Sequence, residues 1–116
     1  MLTREIPRHE WQSYFEEVTR QLTVMTVDVE VSSATMGSQP ELTAVQLRGL
    51  SYDPHDDAFS ILAGSVEHRI TAPTEIFVEE EPRGLLSIQV IDGEGRQHLA
   101  RFTRALPLPS PGRAMP

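Results

Sequence analysis

Cysteine is absent from the 116 residues, which removes disulfides, thiol nucleophiles and thiolate metal sites together. Lysine is absent as well: all ten basic residues are arginine, set against 17 acidic ones, for a formal charge of −7. An acidic chain suits a phosphate backbone poorly. Its basic grouping, Arg96, Arg101 and Arg104, divides between two strand faces, so no nucleic acid partner is expected. No stretch approaches the ~20 apolar residues of a membrane-spanning helix, and no membrane partner is expected. Residues 1–7 lack the apolar run of a secretory signal, which makes a cytoplasmic location the expectation. The length suits a single domain.

Aromatic residues are scarce, seven in all, and three of them fall in one short stretch. Trp11, Tyr14, Phe15, Val18 and Leu22 are spaced i, i+3, i+4, i+7, i+11, which puts all five on one stripe of an α-helix. Polar residues fill the positions between them, and Pro7 suits the first turn, where its missing N–H costs nothing. Aromatic stripes at this spacing form core more often than they grip partners, and the polar face carries Glu10, Glu16 and Glu17 where a membrane-surface helix wants basic residues.

Around Leu22 the period changes from 3.6 to 2. Val27, Val29 and Val31 alternate with polar residues, the mark of a strand with one wet face. Residues 33–40 read as a flexible connection, and residues 42–50 as a returning strand that makes a long hairpin with the first. Asp53-Pro54 opens a tight turn before the apolar residues 58–62, and residues 66–70 and 75–78 offer two short strands. Glu79-Glu80-Glu81 reads as a solvated loop. Leu86, Ile88 and Val90 point inward on the next strand, and Asp92-Gly93-Glu94-Gly95 turns it back into residues 97–102, where Leu99 and Phe102 are the apolar candidates. The expected fold is α+β: an N-terminal amphipathic helix packed on a twisted antiparallel sheet, or partly open β-barrel, of about five to seven strands. Trp11, Phe15, Val18, Val27, Val29, Leu47, Phe59, Ile61, Ile88 and Val90 are the expected core. Residues 1–104 form the expected α+β domain, and residues 105–116, with four prolines, a disordered tail or a docking segment.

Ile6-Pro7-Arg8 with Glu10-Trp11 and Phe15, then Ser51-Tyr52-Asp53-Pro54, then Asp92-Gly93 before Arg101-Phe102, resemble a family of small bacterial proteins classed as a domain of unknown function. The resemblance spans about residues 6 to 103 and implies a single domain. It carries no reaction, substrate or cofactor, so candidate chemistry rests on the residues themselves.

Asp53, His55 and Asp57 alternate along a loop as ligands of a hard cation would, although the glycine and distal glutamate of a calcium loop are missing. They are the candidate metal ligands. Ser51, Ser60, Ser65 and Ser87 lack the setting of a nucleophile elbow, and Glu79–Glu81 are hydrated neighbours rather than a desolvated acid-base pair. No helix follows Gly93 and Gly95 to offer phosphate its N-terminus. A ligand pocket between helix and sheet would be lined by Tyr14, Tyr52 and His68. No cofactor is expected. The function indicated is a non-enzymatic interaction or structural module with a protein partner, or a homo-oligomer formed through a sheet edge. A small-molecule binder or enzyme using the helix–sheet pocket is the alternative.

Overall fold

Alternating apolar residues govern the chain beyond residue 25, and the backbone amides of such segments find their partners on neighbouring strands. The computed structural model describes residues 2–106, and in it eight strands form one antiparallel sheet. They are β1 (Leu2–Glu5), β2 (Thr26–Ser33), β3 (Gly37–Asp53), β4 (Ala58–Ala63), β5 (Val66–Thr71), β6 (Glu75–Glu81), β7 (Gly84–Ile91) and β8 (Gln97–Leu106). Across the sheet they run β1-β6-β7-β8-β2-β3-β4-β5. The outermost strands, β1 and β5, do not pair with each other, so the sheet is not closed into a barrel. A 3-10 turn (Arg8–Glu10) leads into the helix α1 (Trp11–Arg20).

This corrects the expected α+β class. One ten-residue helix accompanies a fold dominated by eight strands, more than the five to seven expected. The difference comes from segments whose side chains look like loop but whose backbones pair. Residues 2–5 bond to β6 as an edge strand, Gly37–Pro40 already belong to β3, and Glu79–Glu81 complete β6. The expected flexible connection shrinks to the three residues 34–36, closed by Gly37 at φ +68° and by the Ser33 hydroxyl accepting from the Met36 amide.

The expected helix stripe is correct where it matters. Trp11, Tyr14, Phe15 and Val18 are buried, and Leu22 packs beside them. Phe15 meets Tyr14 and Phe59 edge to face, each at 4.9 Å, and all ten expected core residues are buried. Two strand faces are reassigned. A register slip in the β7–β8 pairing turns Leu85 inward in place of Leu86, and β8 buries His98, Ala100, Phe102 and Leu106 while Leu99 is only half-buried. β8 therefore runs through the boundary expected at residue 104, because Leu106 pairs with Leu85 and is fully buried. The expected proline-rich tail from residue 107 onward lies outside the described residues.

β3 is the member on which the rest depends. Its first half pairs with β2 and its second half with β4. It bends at Ala44, whose φ is +53° and whose amide donates to the Asp28 carboxylate at 2.7 Å, and slips register again between Leu47 and Gly49. At that slip the helix docks. The Thr19 hydroxyl donates to the Leu50 carbonyl at 2.7 Å and accepts from the Leu50 amide at 2.9 Å. It supplies both backbone bonds at one residue.

Candidate functional site

Ile6, Pro7 and Arg8 place the first functional side chain. The Ile6 amide donates to the Ile76 carbonyl at 2.8 Å, and its own carbonyl accepts the Trp11 indole N–H at 2.8 Å. Pro7, at φ −60° and ψ 144°, then turns the chain so that Arg8 leaves the sheet beside Trp11. The Arg8 guanidinium lies over the indole ring, 4.4 Å from its centre. From the other side of the site, Tyr52 at the end of β3 presents its ring edge-on to Trp11 at 5.0 Å.

The β3–β4 turn supplies the counter-charge. The Asp53 carboxylate accepts from the amides of His55 and Asp56, the Asx geometry expected of Asp-Pro turns. Asp57 adopts φ +50°, and its carboxylate accepts the Tyr52 hydroxyl at 2.6 Å and an Arg8 Nη1 proton at 3.2 Å. Arg8 also donates from Nη1 to the Tyr52 oxygen at 3.2 Å and from Nη2 to the Pro73 carbonyl at 2.8 Å. The Tyr52 hydrogen bond, aided by Arg8, holds the Asp57 carboxyl below its ordinary value. Burial and the Asp57 charge push the Tyr52 phenol up, so it stays protonated and keeps donating. Arg8, His9, Gln12, Tyr52 and Pro54 line an open depression of about 610 Å³ above this cluster.

A second constellation lies in the β7–β8 turn. Asp92 is buried, and its carboxylate accepts from the amides of Glu94 and Arg96, from Arg96 Nε at 3.0 Å and from His98 Nε2 at 2.9 Å. Burial alone would raise the Asp92 carboxyl, but the bonds from His98, the two amides and Arg96 outweigh it and hold it at about 2. His98 in turn meets His68 of β5, Nδ1 to Nε2, at 3.0 Å. A third cluster is structural in character. Glu80 accepts both Arg4 Nε and Nη2 and the Tyr14 hydroxyl at 2.8 Å, tying β1, α1 and β6 together. Burial, then the Glu80 bond, raises the Tyr14 phenol well above its ordinary value.

The three expected pocket residues thus have three different sets of partners. Tyr52 lines the depression, Tyr14 is bonded to Glu80, and His68 is bonded to His98. Arg8, His9, Gln12 and Pro54 complete the lining, and Arg8 and Pro54 already stand out in the sequence as parts of two separate motifs. Of the expected metal ligands, Asp53 caps the turn backbone and Asp57 is bonded to Tyr52 and Arg8. Among the described residues no group of three or more His, Asp or Glu side chains is gathered to hold a metal ion, and no helix is long and apolar enough to cross a membrane. Asp92, His98 and Glu80 escape sequence reasoning. A buried carboxylate in an Asp-Gly turn and one inward member of an acidic run look like their solvated counterparts until the sheet is assembled.

Comparison with known proteins places the chain among proteins without an assigned activity. An uncharacterised protein of the bacterium Aquifex aeolicus is 40% identical over 110 residues, covering 94% of this chain and 99% of that protein. No solved structure matches the chain. Residues 2–111 match the family of unknown function DUF5335, and this protein belongs to that family.

Proposed function

We propose that this protein is a non-enzymatic binding module whose contact surface is the depression at Arg8, and that it takes a carboxylate-bearing segment of a protein partner. The observation that carries the reading is the state of the Arg8 side chain. A guanidinium has five N–H donors, and three are engaged, by Tyr52, Asp57 and Pro73. Among the described residues, Nε and one Nη2 proton meet no acceptor and remain for a ligand, on a side chain that is 55% exposed yet held against Trp11. A planar donor fork fixed in advance loses little freedom when it meets a carboxylate.

A second reading, a small-molecule binder with the same residues, is supported by size: ligand pockets commonly enclose roughly 300 to 1,000 Å³, and the depression is about 610 Å³. Both share Arg8 and part at the partner. Melting temperature measured with a glutamate-rich peptide and with succinate separates them. A rise with the peptide that disappears in Arg8→Gln supports the protein-binding reading. A rise with succinate alone moves the site to the small-molecule reading, and a flat response to both ligands overturns both. Light scattering across a wide concentration range then tells whether the partner is a second copy of this chain.

A further inference from the structure

When both imidazoles are neutral, the hydrogen bonding of Asp92, His98 and His68 leaves one consistent arrangement of protons. An ionised carboxylate only accepts, so His98 Nε2 must carry the proton it shares with Asp92. The neutral ring then has a lone pair on Nδ1, and His68 must donate to it from Nε2. The chain of bonds runs from the buried Asp92 at the β7–β8 turn to a half-buried imidazole on the edge strand β5. β5 and β8 are not neighbours: β2, β3 and β4 separate them in the sheet order. The bond therefore spans the curl of the sheet.

We propose that the His68–His98 bond is a pH-sensitive clasp that holds the β5 edge over β8 and opens when both imidazoles are protonated. One added proton is tolerated, because a protonated His68 still donates from Nε2. A second proton on His98 Nδ1 removes the acceptor and sets two cations against each other at the 3.0 Å contact.

The groups around the pair set the direction. His68 faces His98 from β8, feels the Glu41 carboxylate from β3, and lies opposite the apolar Ile61 of β4. Its neighbours Glu67 and Arg69 alternate to the other face of β5, where Glu67 accepts the Ser60 hydroxyl and pairs with Arg69. His98 faces Asp92 and, through that carboxylate, Arg96, and lies opposite Val31 of β2 and Val90 of β7. Burial, then the His98 charge, lowers the His68 imidazole against a smaller opposite pull from Glu41. A histidine lowered in the folded state binds fewer protons there than in the unfolded chain. Its contribution is complete above the ordinary histidine value and declines as pH falls below it.

Amide hydrogen exchange of the intact protein at about pH 7 and about pH 4.5, corrected for intrinsic rates, tests the clasp. Amides of β5 should lose protection severalfold relative to those of β6 and β7. His68→Gln should abolish that difference, since an amide can donate to a neutral His98 or accept from a charged one. Parallel loss across β5, β6 and β7, or an unchanged difference in His68→Gln, overturns the proposal. Ring-proton NMR of the wild type gives an independent reading. The His68 ring is expected to titrate below the ordinary histidine value, and a His68 curve at that value overturns the proposal.

Discussion

The Tyr52 hydroxyl is the hinge of the candidate site, because it donates to Asp57 and accepts from Arg8 at once. Tyr52→Phe removes both bonds while leaving the ring against Trp11. The two lost bonds, both to charged but partly exposed groups, should cost about 1–2 kcal/mol, measured as a lower midpoint in urea. The Asp57 carboxyl, held down first by that hydroxyl, should titrate higher in the variant by NMR. Asp92 makes the sharper pH prediction. A carboxyl held at about 2 stabilises the fold above its ordinary value of 3.8, and that stability is lost as pH falls from there toward 2. Asp92→Asn should lose roughly 2 kcal/mol at neutral pH, as bonds to a charged group do. It should also lack this acid limb in denaturation curves taken across the range. These residues show the limit of reading single positions in sequence. Arg8 and Tyr52 each stand in a recognisable motif, yet they are 44 positions apart and nothing local says that they meet. Glu80 resembles Glu79 and Glu81 in residue type, and it is the strict alternation of β6 through Ile76 and Val78 that turns it inward to Arg4 and Tyr14.

At the level of elements, legibility follows the range of the forces involved. The helix stripe and the β2 alternation are periodic and local, so they can be read directly. β1 is four residues without a strong pattern, made a strand by the partner offered by β6. The last described stretch of β8 is held by Leu106, which is fully buried although its neighbours in sequence are prolines and small residues. Gly84 is the tightest point of that arrangement. Its φ is +145°, and a β-carbon there would lie 1.9 Å from the Leu106 carbonyl oxygen. Gly84→Ala should therefore break the β7–β8 pairing at Leu85 and lower the melting temperature more than Gly95→Ala, whose β-carbon meets nothing within 4 Å. The docking of α1 gives a second test. Thr19→Val preserves shape but strips the Leu50 amide and carbonyl of their partner, a loss of about 1–3 kcal/mol in chemical denaturation.

On the scale of the whole molecule, an open sheet has edges to protect. Among the described residues β1 and β5 are outermost, and the first half of β3 pairs on one side only, with β2. β1 is short, β5 carries Glu67 and Arg69 at its rim, and the open half of β3 contains Pro40, Glu41 and the Ala44 bulge. Each is a known obstacle to strand addition. Pro40→Val should raise the apparent mass in light scattering at high concentration, where Pro40→Ser should not, because only valine adds both an amide donor and a β-prone side chain. The strand order has one more consequence, for synthesis. β8 leaves the ribosome after every other strand of the domain, yet it lies between β7 and β2 in the middle of the sheet. Until it emerges, no strand-to-strand pairing joins β1, β6 and β7 to β2, β3, β4 and β5. Among the described strands, completing the sheet therefore depends on β8 pairing with β7 on one side and β2 on the other.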